Sequence, residues 1–185
     1  MDATTHQIET NKGSEQSQKA SAASARAEAL ARRIEEGAAG LAAFAEGLSE
    51  AEWRTPLSEG GRDSRPVCVI VHHVASVYPI EVELARTIAS GNAVTDVTWD
   101  VVAQMNGKHA QQQAGVSKAA ALELLRNNSR EAASAVRAFT DDELDQAAPF
   151  GLSYGAPVTA QFVIEDHALR HSWHHLAGIR KALGR

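Results

Sequence analysis

Four of the chain's eight histidines, His167, His171, His174 and His175, fall within nine positions of DHALRHSWHHLAGIRKAL near the C-terminus. Imidazole nitrogens bind divalent metals, and residues four apart on a helix project side by side, so His171 and His175 can present two nitrogens to one point. At about 100° per residue, Leu169, Trp173, Leu176, Ile179 and Leu183 share one apolar arc, with His175 inside it and His171 at its edge. His167 and His174 turn toward the polar side. A second segment, VCVIVHHVASVYPIEVEL, sets Ile70, Val74, Val77, Ile80, Leu84 and Ile88 on its buried face, with His73 near the middle and His72 off it. A buried imidazole needs partners for its nitrogens, and a metal shared with His171 and His175 on a facing helix supplies one. Three such ligands leave a divalent ion with open positions for water or a thiolate, which is the geometry of a catalytic site. The ordinary alternative is that each histidine is a hydrogen-bonded core residue or a complement to a helix dipole.

Other polar residues near these positions are weaker candidates. Glu81 lies two turns beyond His73 near the same face, and Glu165 is expected on the inner arc of the last helix, before His171. Either could orient a ligand imidazole or move a proton. A rim salt bridge for Glu81 and a first-turn charge for Glu165 are the commoner uses of such positions. Asn106 and His109 are expected at a pocket rim or on a solvated helix face, and Trp53, Trp99 and Trp173 in a cavity wall or, more often, in core. Cys68 is expected to project away from the apolar face of its helix, and we assign it no chemistry.

These residues have to be positioned by helices. From Ala25, Leu30, Ile34, Leu41, Phe44 and Leu48 recur at helical spacing through an Ala-, Leu-, Arg- and Glu-rich stretch that Gly37 and Gly40 weaken. Trp53 to Pro66 carries turn residues and reads as loop. A second helix is predicted from Val67 to about Ser90, kinked at Pro79 and stopped by Gly91-Asn92. A weaker helix spans about Val97 to Gln113, and a stronger one runs from an N-cap at Ser117 to Phe139. Asp141 to Pro157 is predicted as loop, and the last helix runs from near Thr159, with Phe162 on the same face as Leu169 and Trp173. No segment shows the alternation of a strand, so the expected class is all-α: an antiparallel four-helix bundle with an additional short helix. Residues 1–24, rich in Ser, Thr, Gln and charge, are expected to form a disordered tail before a single domain over 25–185.

Composition narrows the partners. With 18 Lys+Arg against 23 Asp+Glu, a net charge of −5 and no basic stripe, the chain has little electrostatic footprint for nucleic acid. No run approaches the roughly eighteen consecutive apolar residues of a membrane span, and no short apolar stretch near the N-terminus resembles a secretory signal. One cysteine forms no intramolecular disulfide. The expectation is a cytoplasmic protein acting on a small molecule, with neither a membrane nor a nucleic-acid partner.

HVASVYPIEVEL from His73 and HSWHHLAGI from His171 resemble the recurring motifs of the DinB-like (DinB/YfiT-like) superfamily of metal-dependent bundles. The resemblance runs loosely from Ala25 to Leu183 and includes SKAAALELLRNNSREAASAVRAFTDDELD, similar to the penultimate bundle helix of relatives. The family's metal ligands fall on His73, His171 and His175, the three residues that helical rotation selects; His72, His167 and His174 offer alternative or additional ligands. The likeness implies a divalent metal such as zinc or nickel, often in a homodimer. It also implies a low-molecular-weight thiol cosubstrate of the mycothiol or bacillithiol kind, or water, used for S-transfer, isomerisation or hydrolysis on a small electrophile. A metal-bound thiolate is a natural nucleophile, because coordination keeps a thiol ionised at neutral pH. The competing expectation is a non-catalytic metal-binding bundle, a dimeric stress-linked or binding protein.

Overall fold

The computed structural model describes residues 24–57 and 64–185. The tail expected over residues 1–24 therefore lies outside the described residues except for Ser24, as does the middle of the Trp53–Pro66 loop. Helix α1 (Ala25–Glu46) starts where the Ser24 side chain accepts from the Ala27 N–H, and a capping box at Ser49 and Glu52 opens the single turn α2 (Glu50–Trp53). Helix α3 (Val67–Ala89) ends before Gly91, whose φ of 76° needs a residue without a Cβ. Helices α4 (Trp99–Gln112) and α5 (Lys118–Arg137) are capped by the side chains of Thr98 and Ser117. The segment from Asp141, predicted as loop, instead holds the short α6 (Asp141–Asp145) and a two-stranded antiparallel hairpin, β1 (Ala147–Pro149) and β2 (Pro157–Thr159). Three-residue strands with a proline in each are too short to show an alternating pattern. Thr159 caps α7 (Ala160–Val163), which passes through a π-helical turn (Ile164–Leu169) into α8 (Arg170–Ala182).

The four long elements α1, α3, α5 and α7–α8 form a four-helix bundle with α4 as the additional helix. Around the bundle, α1 packs on α5 and α8, and α3 packs on α5 and on the π turn and α8, so α1 and α3 lie diagonally. Arg126 pairs with Glu46 while Arg137 pairs with Glu28 and Glu35, so α1 and α5 run antiparallel. The α3–α8 pair is also antiparallel: His73 meets His175, Tyr78 meets Ser172 and Glu81 meets His171. Positions 37 and 40 of α1 face positions 173 and 176 of α8, which makes that pair parallel. It follows that α3 and α5 are parallel as well, and α4 is the return crossing between them.

α3 is the helix most deeply committed to the core, with Val67, Ile70, Val74, Tyr78 and Ile88 buried. By length and composition it is apolar enough to cross a membrane, but 61% of that stretch is buried inside the bundle, as in the core helix of a soluble fold. Pro79 has no N–H to give the Ala75 carbonyl one turn back, yet the helix continues through it. That carbonyl accepts instead from Asn128 Nδ2 of α5 at 2.8 Å, which keeps a buried acceptor satisfied. Cys68, expected to face outward, is fully buried, with Arg54 Nη1 3.7 Å from its sulfur. The α3 surface is covered on more than one side, so the apolar arc is wider than the sequence periodicity marked.

Candidate metal centre

The site lies between α3 and α8, where two hydrogen bonds set the register of the facing helices. Tyr78 Oη and Ser172 Oγ are 2.6 Å apart in the core, and His171 Nδ1 donates to Glu81 Oε1. Burial raises the Tyr78 hydroxyl above its ordinary range, so it stays protonated and able to donate. With the register held at residues 78 and 172, the next turns bring His73 against His171 and His175. Their ring centroids lie 5.1 Å (His73–His171), 5.8 Å (His73–His175) and 5.0 Å (His171–His175) apart. One nitrogen from each ring lies within 4.8 Å of the others, a spacing that a single ion can bridge.

The donor chemistry fits a divalent cation. His73 is only 5% exposed, and burial, reinforced by neighbouring His171, Arg65, His175 and His109, lowers its pKa to about 2. It is therefore neutral with a lone pair available at any physiological pH, as a metal ligand requires. The Glu81 carboxylate fixes His171 with its proton on Nδ1, leaving Nε2 to coordinate. Glu81 itself is 5% exposed, so the sequence expectation of a rim salt bridge gives way to a buried carboxylate that orients an imidazole. The position was legible from its face; its burial depended on α8 closing over it.

The three histidines line one part of a cavity of about 510 Å³. Val77, Ile80 and Leu84 of α3 form one apolar wall and Val102 and Met105 of α4 another, with Trp99 at the α4 start tied by its indole N–H to the Leu152 carbonyl at 3.0 Å. Val77, Ile80 and Leu84 were expected in the core; they instead face this space, with Ile80 42% exposed. Arg65, Asp166 and Arg170 contribute charge to the lining, and Asn106 is part of it. Arg65 sits in a loop with no periodicity, and no signal in the sequence pointed to it.

The remaining sequence candidates fall elsewhere. His167 lines the cavity, lies against Phe150 and is held below its ordinary pKa by burial, but it is not among the three clustered nitrogens. His174 lines the cavity from an exposed position. His72 Nδ1 lies 2.8 Å from His109 Nε2, tying α3 to α4, and burial lowers both, His109 to about 4. Glu165 is corrected: its carboxylate accepts from Gln161 Nε2 at 2.9 Å on the α1 side of the helix, where it acts on Arg26, away from the cavity. Phe162 is likewise turned out, 42% exposed. Both errors have one cause, since the π turn over 164–169 adds a residue to the turn and rotates what precedes it relative to α8. Trp173, placed in the apolar arc, is 47% exposed and lies over Gly37 of α1, where a Cβ would come within 2.6 Å of its Nε1. Trp53 is fully buried core.

A helical bundle whose α3 and α8 gather three histidines beside a cavity defines a class of metal-binding bundles. The sequence matches the DinB superfamily over residues 19–179, and the chain belongs to that family. No curated protein matches it. Among solved structures it is similar to YfiT from Bacillus subtilis, described as a probable metal-dependent hydrolase with an unusual four-helix bundle topology, at 20% identity, TM-score 0.68 and 86% of each chain. It is also similar to a mycothiol-dependent maleylpyruvate isomerase, at 15% identity and TM-score 0.61, over 83% of this chain and 60% of that one. A histidine-to-alanine variant of that isomerase gives a TM-score of 0.62 over the same shares. At these identities the likeness establishes the fold.

Proposed function

We propose that the chain is a metal-dependent enzyme in which His73, His171 and His175 hold a divalent ion, zinc or nickel, and the cavity beside them receives a small electrophilic substrate. The observation that carries this reading is the convergence of three imidazole nitrogens within 4.8 Å on the wall of a 510 Å³ cavity. A divalent ion held there acidifies a bound thiol or water and so supplies a nucleophile at neutral pH. His73 contributes a lone pair that protons do not compete for. Glu81 holds the His171 ring in one tautomer, and the Tyr78–Ser172 pair keeps α8 from sliding. The apolar walls limit water around the reacting groups. A low-molecular-weight thiol or water serves as the co-reactant, giving S-transfer, isomerisation or hydrolysis. The two kinds of structural neighbour support both options, one as a probable metal-dependent hydrolase and the other as a mycothiol-dependent isomerase.

Elemental analysis of the purified protein and of His175→Ala tests the site. About one ion per chain in the wild type and none in a variant of unchanged helicity is the expected outcome. Undiminished metal in the variant would show that His175 is not a ligand. Open coordination positions seen by absorption of the cobalt form favour the enzyme, whereas four protein ligands, with His167 or His174 added, would favour a non-catalytic metal-binding bundle.

A further inference from the structure

The register of α3 against α8 puts His73 and His175 at one end of the cavity and Leu84 and His167 toward the other. His167, which a uniform helical period sets on the polar side, is brought to the cavity by the extra residue of the π turn. It packs against Phe150, and 14% of its side chain stays open. Neither ring nitrogen makes a hydrogen bond among the described residues, since even Asp166 Oδ2 lies 3.9 Å from Nε2, and neither nitrogen is closed off. Burial favours the neutral imidazole, which keeps one N–H to donate. Arg170 lines the same end. Its Nε donates to the Asp166 carbonyl at 3.1 Å and lies 3.1 Å from Asp166 Oδ1, which leaves both amino groups of an exposed guanidinium without a hydrogen bond among the described residues. Asp166 therefore orients the guanidinium and leaves its terminal donors unused. Four fixed charges line the cavity, Arg65 and Arg170 against Asp166 and Glu81, and Glu81 is committed to His171. The proposed ion tips that balance positive.

We propose that the substrate is an apolar carboxylate, its anionic end held by the Arg170 amino groups and the His167 N–H and its body lying along Ile80 and Leu84 of α3 and Met105 of α4 toward the three clustered histidines. Arg170 and His167 are thereby specificity-determining residues. A guanidinium offers a carboxylate charge-assisted bonds to both oxygens, which a neutral ligand of the same shape cannot match. His171 lies about one helical turn, roughly 5 Å, beyond His167, so the reacting group stands a few bonds from the carboxylate. The inference rests on the proposed metal site for where the substrate reacts; the anchor itself needs only the π turn, the start of α8 and the cavity.

The probes are 4-phenylbutyrate and 4-phenylbutyramide, which share a skeleton and differ in charge. Their affinities are measured by ligand-observed NMR at neutral pH on the zinc-saturated wild type, Arg170→Gln, His167→Leu and His175→Ala, with Arg130→Gln of α5, outside the cavity lining, as control. A carboxylate costs more to take out of water than an amide, so an unselective apolar cavity prefers the amide. The expected result is wild-type binding of the carboxylate at least about tenfold tighter, a preference kept in Arg130→Gln and largely lost in Arg170→Gln and His167→Leu. Arg170→Gln, at an exposed position, carries the test where His167→Leu disturbs the packing on Phe150. Equal or tighter binding of the amide by the wild type overturns the inference, as does loss of the preference in Arg130→Gln or failure of both probes to bind up to their solubility. A preference that survives in Arg170→Gln and vanishes in His175→Ala would put the carboxylate on the ion and overturn it too, and one that survives in a folded His167→Leu would remove His167 from the anchor. Retention of the preference in His175→Ala, or in a wild type that takes up no zinc, together with its loss in Arg170→Gln, supports the anchor even where the metal reading fails.

Discussion

His73 illustrates how a single side chain couples the site to stability. Its nitrogens sit among apolar neighbours of α3 and the rings of His171 and His175, and burial holds its pKa at about 2 against an ordinary 6.5. In the metal-free protein the unfolded chain takes up a proton on this histidine below about 6.5 while the folded chain does not, so the folded state is favoured most above that pH. Stability is then lost as pH falls from 6.5 toward 2, at about 1.4 kcal/mol per unit from this residue. Urea unfolding of the metal-free protein at pH 7, 6 and 5 should show that decline, and His73→Leu should show a shallower one, with a residual slope from His72, His109 and His167, which burial also lowers. Equal slopes in the two proteins would contradict the burial of a neutral imidazole. The identity of the three clustered histidines was legible in the sequence because helical rotation fixes which side chains share a face. The pairing of His72 with His109 was not, since it depends on where α4 lies.

Among the elements, α3 shows how a local defect is repaired by a distant helix. Pro79 leaves the Ala75 carbonyl without its helical donor, and Asn128 of α5 provides one from 53 residues away. Asn128→Ala should therefore cost about 1–3 kcal/mol, the penalty for stranding a buried acceptor. Denaturant titration measures it, and a loss no larger than that of an exposed α5 position such as Asn127→Ala would show that water replaces the amide. The helix boundaries at Ala25, Val67 and Ser117 could be read from composition and caps, which are local signals. The π turn could not: IEDHAL carries no residue that demands an extra backbone step, and its insertion is settled by how α7 and α8 must each meet α1 and α3. That is why a uniform period misplaced Phe162 and Glu165 while leaving the spacing of His171 and His175 correct.

For the molecule as a whole, the proposed metal links two elements about a hundred residues apart in sequence. An ion bound only by the folded state stabilises it by an amount set by its concentration over Kd, about 2.7 kcal/mol at a hundredfold excess. Zinc or nickel should accordingly raise the Tm of the wild type and leave that of His175→Ala unchanged. An equal rise in both would assign the effect to other sites. The bundle's arrangement makes this clamp useful. α3 and α8 are antiparallel neighbours across the site, whereas α1 and α3, consecutive among the long helices, lie on the diagonal. The parallel course of α3 and α5 requires a return crossing, and α4 supplies it while forming a wall of the cavity. None of the α4 residues is buried, so its hold on the bundle comes from the His72–His109 contact, the Trp99–Leu152 hydrogen bond and partly buried apolar packing.

Sequence by itself determined that the chain is helical, where the long helices begin, and that three histidines on two of them face inward, because propensity, capping and the 3.6-residue period all act within a few residues of chain. The DinB-like family was also visible in two short histidine motifs, and the match over residues 19–179 bears that out. Tertiary structure alone decided that Glu81 is buried against His171, that Arg65 joins the lining, and that Glu165 turns away. Each of these depends on which helix packs beside which and in what register. That choice follows from the summed fit of side chains such as Tyr78 against Ser172 in the core and the half-exposed Trp173 over Gly37, which no window of sequence contains.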